Sequence, residues 1–326
     1  MKLVEQIAVS PDEGEVRLDR WLRRRAPHLT QGQIEKLVRT GQVRVDGARA
    51  KANDRLQAGQ IIRIPPIPDE RRIPRGVSER DVEFVRSLVL HRDDDVIVLN
   101  KPAGLATQGG AKTPRHVDAL LDALKFEREE KPKLVHRLDR DTSGCLVLAR
   151  HPRAAAHLAA AFRAREAEKI SWAIVLGSPR PLSGQIRGWM CKKAGPGEED
   201  REMMRRCVQT DEGAVHAITD YVTLSDAGGK AAWVALKPLT GRTHQLRFHM
   251  AEIGCAIAGD RKYTCDRATP GGLADQLHLH ARSIRMPHPS GGTLRVEAPL
   301  PAHMAAAFET LGFDAREAKD AFEVFA

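Results

Sequence analysis

The chain has 326 residues, 42% of them hydrophobic and 29% charged, with 52 Lys and Arg against 43 Asp and Glu and a net charge of +9. That composition is globular rather than disordered, and the length suits one large domain or a large domain with a small companion. The basic balance suits a polyanionic partner, while no apolar run approaches the ~20 residues of a membrane span. The opening residues, with Glu5 arriving early and no apolar stretch behind it, do not read as a signal peptide. Cys145, Cys191, Cys207, Cys255 and Cys265 are scattered and show no C-x-x-C spacing. That argues against a disulfide framework or a zinc site and for a reducing cytoplasm.

In chain order, residues 1–66 read as a small α/β module. Leu18, Trp21 and Leu22 recur at helical spacing, as do Ile34, Leu37 and Val38, with Gly41 stopping the second helix. Val43, Val45 and Ile61–Ile64 read as strands, with turns at Asp46-Gly47 and Ala58-Gly59. Up to Gly76 there are sixteen Lys and Arg against ten Asp and Glu, so about two thirds of the net charge lies in under a quarter of the chain. Arg17, Arg20 and Arg24 crowd the first helix, with Arg23 and Arg25 beside them, and Lys36, Arg39 and Arg44 follow. A solvated face is one reading; two basic helices and a basic strand in succession favour a phosphate backbone as the other.

Residues 67–84 are proline-rich and charged at their start and read as a linker. Residues 85–326 form the body. Asp95–Gly104 reads as a buried strand running into a turn, and Cys145–Ala149 as another. Between them lies a dense polar stretch holding His136, Arg137, Asp139, Arg140 and Asp141. An R-x-D pattern is as compatible with a turn salt bridge as with a catalytic carboxylate, and the Asp139/Asp141 pair leaves a hydrolase reading open. A second polar stretch, Leu239–Met250, contains Arg242, His244, Gln245 and Arg247 and fits strand and helix periods equally. So many polar groups in a packed segment need a partner network, either structural or arranged about an anion. The tail from Ala302 reads as a packing helix with Ala305, Phe308 and Leu311 on its apolar side.

These stretches together resemble a known family. Arg17–Pro66, with R-L-D-x-W-L, K-L-V-R-T-G-Q-V-R-V-D-G and the closing G-x-x-I-R-I-P-P, is similar to the alpha-L type RNA-binding domain. VLNKPAGLATQGG (Val98–Gly110), LVHRLDRDTSGCLVLAR (Leu134–Arg150), AITDYVTL (Ala217–Leu224), the Leu236–Tyr263 run with GRTHQLRFH, and LHLHARSIRMPHPSG (Leu277–Gly291) resemble the RluA family of pseudouridine synthases, nearest its RluC branch. The resemblance implies an α+β fold, a mixed and mostly antiparallel sheet with flanking helices and a small N-terminal RNA-binding domain. It implies isomerisation of specific uridines in large-subunit (23S) ribosomal RNA, without cofactor or metal; the cysteine pattern adds a cytoplasmic expectation, and with no sign of an oligomer a monomer is the default.

Carried over to this chain, the resemblance makes Asp139 the catalytic aspartate, Arg137 its motif arginine and Arg247 the basic residue expected to pair with it. Ser171, Arg242, His244 and Gln245 are expected at the substrate, and Arg17, Arg20, Arg24, Lys36, Arg39 and Arg44 at the RNA. One position departs from the pattern. The family's K-x-Y tyrosine, which stacks on the base and can move a proton, falls on Ser171 in Glu168–Gly177. Trp172 should point to the opposite face of the strand and into the core. Tyr221 and Tyr263 belong to other motifs. The departure keeps an alternative open, an RNA-binding or ribosome-assembly protein impaired in catalysis; a related synthase acting on tRNA is another.

Overall fold

The computed structural model describes residues 5–26, 29, 31–66, 77–109, 113, 115–193, 203–318 and 320–325. They divide after Gly76 into two units. In the first, β1 (Glu5–Ala8), β3 (Ile61–Ile64) and β2 (Arg44–Val45) form an antiparallel sheet in that order beside α1 (Leu18–Arg25) and α2 (Gln31–Arg39). Leu18, Trp21, Leu22, Ile34, Val38, Val43, Leu56 and Ile62 are buried together. The helical spacing of these residues is what assembles that core. Gly41 leaves α2 at φ 71°, and Asp46-Gly47 turn at φ 50° and 77°.

The motif R-L-D-x-W acquires a physical meaning here. Asp19 is buried and accepts from Arg17 (3.2 and 2.6 Å) and Gln31 (3.4 Å), while Trp21 is fully buried and donates Nε1–H to Glu13 (3.0 Å). β1 had no signature, because its four residues are mostly exposed and their stability comes from pairing with β3.

The second unit starts inside the expected linker. Residues 67–76 lie outside the described set, but Glu79–Ser87 is a helix, α3, capped by Ser78 Oγ accepting from Asp81 N (3.2 Å). Val85 is buried against Ile97, Leu99 and Leu121, and Arg86 donates to the Ala123 carbonyl (3.0 Å). Residues 77–84 therefore belong with the body: the S-x-x-D cap and the Val82/Val85 spacing outweigh the charge density that suggested a linker.

The remaining strands are β4 (Val89–Arg92), β5 (Val96–Lys101), β6 (Lys133–Leu134), β7 (Ser143–Ala149), β8 (Glu168–Leu176), β9 (Ser183–Lys192), β10 (Met204–Cys207), β11 (Val215–Asp226), β12 (Ala231–Pro238), β13 (Leu279–Pro287) and β14 (Thr293–Glu297). They form one sheet in the order β10-β9-β11-β12-β8-β13-β7-β5-β4, with β14 on β13 and β6 on β7. Among the described strands every pair is antiparallel except β7 with β13. α4 (Val117–Leu120), α5 (Pro152–Ala164), α6 (Gln245–Glu252) and α7 (Ala302–Leu311) flank it, the α+β arrangement expected. No helix is long and apolar enough to cross a membrane among the described residues.

Alternation on β8 sorts the two faces. Ile170, Trp172 and Ile174 pack with Trp233 under Met304 and Phe308 of α7, and the Trp172 and Trp233 rings meet edge to face at 4.6 Å. Trp172 is core. Lys169, Ser171 and Ala173 therefore face the other way. On that side Ala173 and Val175 pack with Leu236 and with Met250 of α6.

The parallel β7–β13 contact needs a glycine. Gly144 has φ 110°, and a Cβ there would stand 2.2 Å from the Ala281 carbonyl oxygen. Gly144→Ala should cost at least about 2 kcal/mol, through both the left-handed backbone and the clash. A urea midpoint within error of wild type would contradict this.

Beside this contact, buried His280 joins Ser143 Oγ (2.9 Å) and the Ala298 carbonyl (3.3 Å); His249 of α6 joins Thr219 Oγ1 (2.9 Å). Burial pushes both imidazoles down to about 4. The unfolded chain would take up these protons near its usual 6.5 and the folded chain would not. Stability is therefore full above about pH 7 and falls between about pH 6.5 and 4, by up to about 1.4 kcal/mol per pH unit for each histidine. Denaturation midpoints across that range should drop steadily, and a flat profile would contradict the assignment.

Candidate active site

A cleft of about 790 Å³ opens on the Ser171 face of the sheet. Its walls come from the turn before β7, the end of α5, the start of β8, the loop before α6 and the middle of β13. Asp139 stands in the turn before β7, half-buried and facing this cleft.

The backbone on both sides of Asp139 is pinned. Thr107 Oγ1 donates to the Leu138 carbonyl (2.7 Å) and accepts the Leu138 N–H (3.1 Å). On the other side, the Arg140 carbonyl accepts from Lys101 Nζ (3.0 Å) and Gly104 N (2.9 Å). Lys101 is fully buried and also donates to the carbonyls of Pro102 (3.0 Å) and Leu105 (2.8 Å). Burial brings its ammonium down to about 7, against the pull of Asp141 and Asp139. Lys101 and Thr107 hold the Asp139 turn, yet the sequence assigned them no role; a lone lysine after the apolar run Val96–Leu99 was the available signal.

Arg247 is buried on α6 and lines the same cleft. Its direct partner is Asp260 rather than the expected Asp139. Nε and one terminal nitrogen each lie 2.7 Å from an Asp260 oxygen. Asp260 in turn accepts the backbone N–H groups of Lys262 (2.8 Å) and Tyr263 (3.1 Å), which fixes the fork. Burial opposes the Arg247 charge, but Asp260, with Asp139 acting through space, raises its pKa. The influence of Arg247 on Asp139 is therefore one of field rather than of contact.

Two expected substrate residues are committed elsewhere. The segment 245–252 is helical, so Gln245 turns inward. Its oxygen accepts from Thr240 Oγ1 (2.7 Å) and Arg242 N (3.1 Å), and its nitrogen donates to Ile218 O and Thr219 Oγ1 (2.9 Å each). Every hydrogen-bonding position is filled, so Gln245 braces the loop that carries Arg242. His244 precedes the helix at φ 54° and is buried with Nδ1 3.0 Å from Tyr263 Oη; burial lowers its pKa against the pull of Asp139. Sequence could not separate these roles while the period of the segment was open.

Arg137 and Arg242 are exposed and line the cleft, and Arg242 is steadied by the His216 carbonyl (3.2 Å). Ser171 is buried on the floor, opposite Leu236. Neither tyrosine replaces the missing ring. Tyr263 Oη accepts from Met204 N (2.7 Å), and Tyr221 Oη donates to the Pro181 carbonyl (3.1 Å). The aromatic wall is instead Phe162 of α5, 4.6 Å from the His136 ring.

In the first unit, Arg20, Arg24, Lys36 and Arg39 are exposed, and among the described residues no carboxylate pairs with them. Arg17 is exposed but tied to Asp19, and Arg44 is held by the carbonyls of Gly41 (3.3 Å) and Gly47 (3.1 Å). In sum, a shielded carboxylate sits in a cationic cleft, and a separate unit carries a row of exposed cations.

Comparison with known proteins gives these features a common context. The family model described as RNA pseudouridylate synthase matches residues 95–252, and that of the S4 domain matches residues 16–62. The chain is 32% identical to RNA pseudouridine synthase 4, mitochondrial, of Arabidopsis thaliana, over 94% of this chain and 82% of that protein. It is 34% identical to ribosomal large subunit pseudouridine synthase C of Rickettsia bellii, over 88% of this chain and 95% of the relative. The solved structure of human RNA pseudouridylate synthase domain containing 4 superposes with a TM-score of 0.60 at 28% identity, over 72% of this chain and 98% of that one. The chain therefore belongs to the RNA pseudouridylate synthases, in the RluA family and with an N-terminal S4 domain, and is an enzyme that isomerises uridine in RNA.

Proposed function

We propose that the protein converts specific uridines of large-subunit ribosomal RNA to pseudouridine, with Asp139 as the reacting carboxylate. The observation that carries this reading is the turn at Asp139. Its backbone is fixed at Leu138 and Arg140, its side chain faces the cleft, and a buried arginine lies within its field. The RNA class follows from the Rickettsia bellii relative, whose name specifies the ribosomal large subunit.

Isomerisation detaches uracil from C1′, turns it and rejoins it through C5. The ring is leaving group and then nucleophile, so the protein must supply an ionised carboxylate, positive potential and a shielded space. Asp139 either attacks C1′ or removes a sugar proton, and the buried Arg247 guanidinium lends positive potential to the cleft in which it does so. Arg137 and Arg242 at the cleft wall meet the phosphates of the extruded nucleotide. Extrusion costs a few kcal/mol, which binding of the RNA by the S4 unit offsets. Ser171 is the observation on the side of a second reading, a chain that binds RNA with little or no turnover.

Pseudouridine mapping by carbodiimide-blocked primer extension tests both. A strain lacking the protein should lose discrete sites in large-subunit RNA, and wild type but not Asp139→Asn should restore them. Purified Asp139→Asn should be slower by at least about 10³-fold. Persistence of every site in the deletion strain, with redundant synthases also removed, would favour the binding-only reading. A further test addresses the S4 unit. Replacing Arg20, Arg24, Lys36 and Arg39 together with alanine should weaken RNA binding and make the plot of log K against log salt shallower by roughly 3. An unchanged slope would remove them from the RNA contact.

A further inference from the structure

We propose that Lys169 is the base that takes the proton from C5 of the rejoined uracil. This rests on the reading of the Asp139 cleft above. The step is balanced without a co-reactant: C1′–N1 breaks, C1′–C5 forms, the C5 proton passes to the Lys169 amine, and N1 takes a proton from water. Something in the cleft must accept that C5 proton.

Among the other residues lining the cleft, Lys237 is ion-paired with Glu168 (2.9 Å) and burial pushes the Cys145 thiol up to about 12. The His136 ring nitrogen Nε2 accepts the Val147 N–H (2.8 Å), and burial, with the nearby Lys169 charge, pushes its pKa down to about 3. Glu168 lies on the opposite face of β8, bonded to Lys237 (2.9 Å) and Arg285 (2.8 Å), which hold it in the charged form against burial. Thr240 donates to Gln245. Ser171 and Ser283 offer only hydroxyls, which are poor bases near neutral pH. Asp139 is engaged with the sugar. Arginines remain protonated.

Lys169 has the required position. It lies two residues before Ser171 on β8, so both side chains share the cleft face. Its Nζ is 5.9 Å from the centroid of the Phe162 ring, and a Cβ added to Gly241 would stand 3.7 Å from it. The amine thus bridges the floor between α5 and the loop before α6. A glycine at 241 and a serine at 171 leave its approach to a base open, where a ring at 171 would stand alongside.

The amine is also poised for the task. Burial alone lowers its pKa, the direction that favours the neutral amine a base requires. The other cations that line the cleft are Arg163 and Arg165 at the end of α5, Lys237 on β12, Arg137, Arg242 and Arg247. Asp139 and Glu168 are the opposing charges, and Glu168 is already paired.

The test is single-turnover release of tritium from large-subunit RNA carrying [5-³H]uridine, across pH 6–9, with wild type, Lys169→Gln and Lys169→Arg. Wild type should release tritium, with a rate that rises with pH along one limb. Both variants should bind RNA as wild type does, release tritium about 10²–10³-fold more slowly, lose that limb and show a primary isotope effect with 5-deuterated RNA. Lys169→Arg retains the charge and the packing, so a wild-type rate and pH profile in this variant would overturn the proposal whether or not Lys169→Gln folds. Failure of the wild-type protein to release tritium from any RNA would instead sink the functional reading on which the proposal stands.

Discussion

A buried ammonium group organises this active site. Lys101 has no exposure and three backbone carbonyls for partners, one of them on Arg140, next to Asp139. Burying a cation is costly unless its hydrogen bonds are met. Here all three N–H groups have an acceptor, and Asp139 and Asp141 add negative potential. The same interaction therefore stabilises the lysine and immobilises the turn. Thr107 fixes the preceding residue, so the carboxylate is presented from a backbone that has little freedom left. Preorganisation of this kind lets a charged group act without reorganising at the moment of reaction.

The second buried charge, Arg247, follows the same logic with a different partner. Its fork is saturated on one side by Asp260, whose oxygens also accept two backbone N–H groups. The Tyr263 ring lies 5.3 Å from the guanidinium and the Tyr263 hydroxyl reaches Met204 and His244. Arg247 is thus fixed without help from Asp139. That leaves the Asp139 carboxylate free of a bidentate clamp with Arg247, as the proposed role for Asp139 requires, while keeping positive potential close by.

How much of this could be read from residues alone differs by feature. The helices of the S4 unit, β5 and β7 were legible, because apolar periodicity decides them. β1 was not, since an exposed four-residue strand has only its partner to define it. α3 was obscured by prolines and charge upstream. The role proposed for Asp139 rests on motif resemblance rather than on periodicity. The hydrogen-bond partners of Gln245 were not legible for a physical reason: a polar residue on a helix of unknown phase can face a ligand or a neighbouring strand, and the Gln245 amide reaches β11 through Ile218 and Thr219. Lys101 showed only as a lone lysine after an apolar run, because its acceptors are backbone carbonyls, which leave no trace in a sequence.

Ser171 bears on how affinity and catalysis are divided in this protein. A stacked ring contributes roughly 1–3 kcal/mol per base. Where that contact is equal in the ground state and the transition state, its loss weakens binding without slowing the chemical step. Binding can be supplied remotely, and the exposed cations of the S4 unit are a suitable source, since phosphate contacts are sequence-independent and additive in number. Proton transfer cannot be supplied remotely, because it needs an acceptor at the reacting atom. A chain that lacks the ring can therefore offset the lost stacking with its RNA-binding unit, but it can replace a proton acceptor only from the floor of the same cleft. Lys169, on the same strand and the same face as Ser171, is the basic side chain that meets that requirement.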